Sequence, residues 1–78
     1  MKTRNTIQRQ LVLDSVVQLG DHPTAEEVYE RVRSIYPDIS LATVYRNLNL
    51  LAETGRLLKI SVPGAADRFD HNNLPHYH

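Results

Sequence analysis

The sequence predicts an α+β fold, mostly helical: three helices, then a β-hairpin. Two observations carry this. Apolar residues recur at helical spacing in three segments, which Gly20, Pro23, Pro37 and Gly55 punctuate. After Gly55 the spacing changes to alternation, the mark of a strand. The chain has 78 residues, enough for one small domain. A domain of this size buries roughly 60% of its unfolded surface, so the core is thin.

The first segment runs from about Thr6 to Leu19. Ile7, Leu11, Val12, Leu13, Val16, Val17 and Leu19 wrap most of a helix, which predicts contacts on more than one side. The second spans about 24–36. Thr24 and Glu27 form a Thr-x-x-Glu capping box. Ala25, Val28, Tyr29, Val32, Ile35 and Tyr36 share one arc of about 120°, while Glu26, Glu27, Glu30 and Arg33 face away. The third begins after the N-cap residue Ser40. Leu41, Val44, Leu48, Leu51 and Ala52 lie on one side, and Gly55 is placed for the left-handed position that ends a helix. Then Leu58, Ile60 and Val62 alternate with Lys59 and Ser61. Pro63-Gly64 suits the centre of a type II turn. Residues 67–70 return as a short strand with Phe69 inward. In outline this is a winged helix-turn-helix, with the hairpin as the wing.

Composition narrows the function. There is no cysteine, which excludes disulfides, thiolate metal sites and cysteine nucleophiles. The longest apolar run is Leu11-Val12-Leu13, too short to span a membrane. No apolar stretch follows Met1-Lys2-Thr3-Arg4, so no secretory leader is expected and the cytoplasm is the expected compartment. No Ser-His-Asp order, phosphate loop or paired-carboxylate cleft is evident, so no enzyme is expected. Nine basic and nine acidic residues cancel. Their distribution is uneven. Lys2, Arg4 and Arg9 stand without an acid in the first nine residues, and residues 40–62 carry Arg46, Arg56 and Lys59 against Glu53 alone. Basic ends around an acidic middle suit one positive face.

The third helix has the make-up of a DNA reader. Ala42, Tyr45, Arg46 and Asn49 lie opposite its apolar side. Ala42 permits close approach, Arg46 can pair with a guanine edge, and Tyr45 can meet a thymine methyl or a phosphate. Ser40 and Thr43, at the N-terminal turn, can reach phosphate oxygens. Arg4, Arg9 and Lys59 can flank the duplex. A protein-interaction module using the same face is the alternative from another class.

Four histidines are present, three of them in the last eight residues. His76-Tyr77-His78 is an H-x-H pair, and in an extended chain both imidazoles face one side. Asp70 can add an oxygen ligand, and His22 lies between the first two helices. Without thiolate, such a site suits Fe(II), Mn(II), Zn(II), Ni(II) or Co(II).

Four stretches resemble the N-terminal domain of the ferric uptake regulator family. Thr6-Ile7-Gln8-Arg9 is similar to its T-x-Q-R opening. Residues 22–29, His-Pro-Thr-Ala-Glu-Glu-Val-Tyr, are similar to H-x-T-A-x-x-[IV]-[YF]. Residues 40–48 resemble the recognition helix S-x-A-T-V-Y-R-x-L. Arg68-Phe69-Asp70 and His76-Tyr77-His78 resemble R-[FY]-[DE] and H-x-H. The resemblance implies a metal-dependent repressor that binds an inverted-repeat operator as a homodimer. It implies base contacts by Tyr45 and Arg46, phosphate contacts by Ser40 and Thr43, and Arg4 near the minor groove. It makes His22, Asp70, His76 and His78 ligands of a regulatory Fe(II), Mn(II) or Zn(II). Asp70 with H-Y-H resembles the peroxide-stress repressors more than the iron sensors. Residues 1–70 then form the winged-helix domain and 71–78 the start of a hinge toward a dimerisation domain that lies beyond this chain.

Overall fold

A computed structural model describes residues 4–71, with Arg4 by its backbone alone. Helices α1 (Arg4–Leu19), α2 (Ala25–Ile35) and α3 (Leu41–Glu53) precede strands β1 (Leu57–Ile60) and β2 (Arg68–His71). The strands pair antiparallel, with Lys59 opposite Phe69 and Leu57 opposite His71.

Local signals set the helix ends. The Thr24 hydroxyl accepts from the Glu27 N–H, and the Glu27 carboxylate accepts from the Thr24 N–H at 2.8 Å, completing the capping box. The Ser40 hydroxyl accepts from the Thr43 N–H at 3.1 Å. α3 ends in a Schellman motif. Gly55 takes φ +80°, its N–H donates to Ala52 O, and the Arg56 N–H donates to Leu51 O at 2.9 Å. At the tip of the hairpin the Ala65 N–H donates to Val62 O across Pro63-Gly64, with Gly64 at φ +76°, as a type II turn requires.

The hydrogen bond from the Thr24 N–H is the largest influence on Glu27. With the Thr24 hydroxyl and the Arg68 charge, it outweighs partial desolvation and holds the Glu27 carboxyl below its ordinary range. A depressed folded value means the contribution is present above the unfolded value and lost as pH falls through the folded one. Thr24→Ala is therefore expected to cost about 1 kcal/mol of stability at neutral pH. Glu27→Gln should flatten the loss of stability on acidification. Urea melts across the acid range check both.

All three helices and both strands enclose one core. Val12 and Val16 come from α1, Ala25, Val28 and Val32 from α2, and Val44, Leu48 and Leu51 from α3. Ile39, Leu57 and Phe69 complete it, and Phe69 is the largest fully buried side chain. α1 packs on α2, α3 and β2, which is the several-sided contact its sequence predicts. Ile7, Val17 and Leu19 nevertheless stay exposed. So does Ile35, in the last turn of α2, while Tyr36 beside it packs on the core.

The wing departs from the expected alternation. β1 buries Leu57, not Leu58, which is 42% exposed. The Schellman turn delivers the chain to the sheet one residue earlier, and a shift of one residue exchanges the faces. Val62 lies outside β1, in the turn. The hairpin also has a partner that no local pattern predicts. Thr24 bridges Arg68, and the Phe69 N–H donates to Pro23 O at 2.9 Å. This pairing lays β2 against the turn between α1 and α2.

Candidate nucleic-acid interface and metal centre

α3 separates its two faces cleanly. Val44, Asn47, Leu48 and Leu51 are buried, and Ala42, Tyr45, Arg46 and Asn49 are exposed. Buried Asn47 satisfies its amide by donating to Thr43 O at 3.0 Å. The expected base-reading residues thus share a solvent-facing surface on a helix clamped from behind. Ser40 and Thr43 stand at its N-terminus with their hydroxyl oxygens 2.9 Å apart. Lys59 reaches across from β1, its Nζ 3.3 Å from Asn49 Oδ1 and 3.5 Å from Asp67 Oδ2. The wing is thereby tied to the recognition face, with part of the Lys59 charge offset by Asp67.

Arg9 of α1 and Arg46 of α3 line one cleft, with Asn5, Asn47 and Leu50. Arg9 Nε is buried and has no hydrogen-bond acceptor among the described residues. Sequence reasoning marked both arginines, but nothing in their spacing showed that they meet. The side chain of Arg4 lies outside what the structure describes.

Of the four expected metal ligands, the structure brings His22 and Asp70 together. His22 Nδ1 lies 3.2 Å from Asp70 Oδ2. His76 and His78 lie outside the described residues. Among the described residues no group of three His, Cys, Asp or Glu side chains converges as a metal site. One imidazole nitrogen beside one carboxylate oxygen is a donor pair that suits Fe(II), Mn(II) or Zn(II) and needs further ligands to hold one.

The pair depends on an unusual backbone. Gly20, Asp21 and His22 take φ of +59°, +51° and +55° in succession. Asp and His are among the residues that tolerate this region, at a cost of about 1–3 kcal/mol each. β2 holds the turn there. Arg68 donates to His22 O at 3.0 Å, and lies 3.9 Å from the Glu27 carboxylate. The three consecutive residues Arg68, Phe69 and Asp70 therefore each grip the turn. In the sequence Arg68 stands only as part of the R-[FY]-[DE] stretch, and nothing local to it predicts this positioning role. His71 also adjoins Asp70, its N–H donating to Oδ1 at 2.9 Å, which leaves Oδ2 to face His22.

Three helices, a two-stranded wing and an exposed polar face on the third helix define a winged helix-turn-helix. The chain matches the Ferric uptake regulator family over residues 1–78, and belongs to it. The peroxide-responsive repressor PerR of Staphylococcus aureus is 37% identical over 75 residues, covering 96% of this chain and 51% of that protein. The Campylobacter jejuni peroxide stress regulator superposes with TM-score 0.80 at 39% identity, over 96% of this chain and 55% of that one. The Helicobacter pylori ferric uptake regulator, whose structure reveals three functional metal-binding sites, superposes with TM-score 0.83 at 25% identity, over 94% of this chain and 50% of that one. The chain spans about half the length of the relatives it matches.

Proposed function

We propose that this chain is the DNA-binding part of a metal-dependent transcriptional repressor of the peroxide-responsive kind. The observation that carries the reading is the exposed face of α3, where Ala42, Tyr45, Arg46 and Asn49 stand free of the core. The names of the Staphylococcus aureus and Campylobacter jejuni relatives, and Asp70 beside His22, support the peroxide-responsive branch.

In this reading Tyr45 and Arg46 meet base edges in the major groove, and Ser40 and Thr43 bind phosphate at the helix N-terminus. Arg4, Arg9 and Lys59 add contacts beside them. The partner is a double-stranded operator with an inverted repeat, since a homodimer built through a dimerisation domain beyond this chain presents two such helices to two half-sites. The protein acts in the cytoplasm and is not an enzyme. No helix among the described residues is long and apolar enough to cross a membrane.

His22 and Asp70, with His76 and His78, would hold the regulatory metal. Such an ion supplies coordination bonds across the contact between β2 and the α1–α2 turn. The chain's own part is to bring that nitrogen and oxygen together with Arg68, Phe69 and the left-handed turn.

Arg46→Ala is expected to weaken binding to a duplex selected for tight binding by about 1–3 kcal/mol, and to weaken binding to random duplex by less. Electrophoretic mobility shifts on both duplexes check it. Equal losses would assign Arg46 to phosphate. A protein-interaction module would show no steep salt dependence on DNA at all.

A further inference from the structure

The arginines whose side chains are described divide into two sets. Arg31 donates to Gln18, Arg33 pairs with Glu30 at 3.0 Å and stacks on Tyr29, and Arg68 is held by His22 O and Glu27. Arg9, Arg46 and Arg56 have guanidinium groups with no hydrogen-bond or ion-pair partner among the described residues. All three line the groove between α1 and α3. Arg9 and Arg46 line its first cleft, and Arg9 and Arg56 line a second with Thr6, Gln10, Leu13 and Leu51. Arg9 belongs to both.

Among the described residues no carboxylate lines either cleft. Gln10, in the second cleft, donates its amide to Asp14. Three guanidinium groups along one groove, with no carboxylate among its described lining, produce a positive potential that low-dielectric walls focus. The buried Arg9 Nε is a donor awaiting an acceptor, and a buried donor left unsatisfied is costly. Arg46 lies midway along α3 and Arg56 three residues past its end at Glu53.

We propose that the α1–α3 groove is a track for the backbone phosphates of one DNA strand, with Arg9 in its middle and Arg56 at its far end. The proposal rests on the DNA-binding reading and deepens it. Arg46 closes the end nearest the exposed face of α3, where base edges are read. Arg56 enters the interface as a residue that neither the motif nor the recognition face includes.

The test is fluorescence anisotropy of the whole chain on labelled random-sequence duplex across a salt series. Arg56→Gln and Arg9→Gln should each lower the slope of log affinity against log salt by about 0.9, the value for one lost phosphate contact. Arg31→Gln and Arg33→Gln remove the same charge from α2 and should leave the slope unchanged. Arg56 is exposed, so its variant should fold, and circular dichroism checks this. A wild-type slope in Arg56→Gln overturns the track, as does an equal fall in the α2 variants. Weakened binding of Arg56→Gln to phosphatidylglycerol vesicles, with its duplex slope intact, would assign the groove to lipid phosphate instead. If the wild-type chain shows no salt-dependent duplex binding while it is folded, the DNA-binding reading fails first and the track with it.

Discussion

Phe69→Ala should cost about 3–5 kcal/mol, the usual loss for emptying a buried aromatic site. A domain of this length holds only about 4–12 kcal/mol in total. The variant should therefore melt at far lower urea and be partly unfolded in buffer. Two features make the loss large. Phe69 is fully buried and is the largest side chain in the core. Its N–H also seats β2 on Pro23 O, so a collapsing site pulls on the turn that carries His22. Leu58→Ala is the control. Leu58 is exposed on the outer face of β1, and its loss should cost well under the Phe69 value, with circular dichroism in urea as the measurement. Equal costs would mean that the wing register is wrong and that Leu58, not Leu57, faces inward.

That register marks where the sequence stops being legible. Thr24, Ser40 and Gly55 announce their helix ends because capping is chemistry within four residues. The apolar arcs of α2 and α3 follow from one period. Leu57 and Leu58 are chemically the same, so no pattern says which is buried. The answer comes from how the turn at Gly55 delivers the chain to a surface built by distant residues. The pairing of β2 with Pro23 and Thr24 is invisible for the same reason, since it joins parts of the chain more than forty residues apart.

The candidate sites divide likewise. The polar face of α3 is a local property and reads directly from spacing. His22 and Asp70 are forty-eight residues apart, and their types make them candidate ligands of one ion, but no local pattern says that they meet, as Nδ1 and Oδ2 do at 3.2 Å. Arg56 was visible as one of the few charges between residues 40 and 62, yet its place in the groove with Arg9 depends on how α1 crosses α3. Arg68 became a positioning residue only when its partner, the His22 carbonyl, came into view.

The metal reading makes a second demanding prediction. His22→Ala and Asp70→Asn should each weaken Mn(II) binding by more than the 10–100-fold that loss of a supporting contact typically costs, because each removes a donor itself. His76→Ala and His78→Ala should do the same if they complete the set. Arg68→Ala removes no metal donor, but the hydrogen bond that holds the His22 carbonyl in its left-handed turn and the ion pair with Glu27, so its loss should be smaller, about 10-fold. The metal-free chain should stay folded, because its core is built from apolar side chains of every element and needs no ion to close it. A structural zinc site would behave in the opposite way, with the domain unfolding on chelation. Added metal at about 100 times its dissociation constant should then raise stability by about 2.7 kcal/mol, and that gain should vanish in His22→Ala. Titration calorimetry with Mn(II), run beside urea melts with and without the ion, measures both quantities. Tight binding that ignores His22→Ala and Asp70→Asn would move the metal elsewhere. A gain in stability that survives both substitutions would do the same.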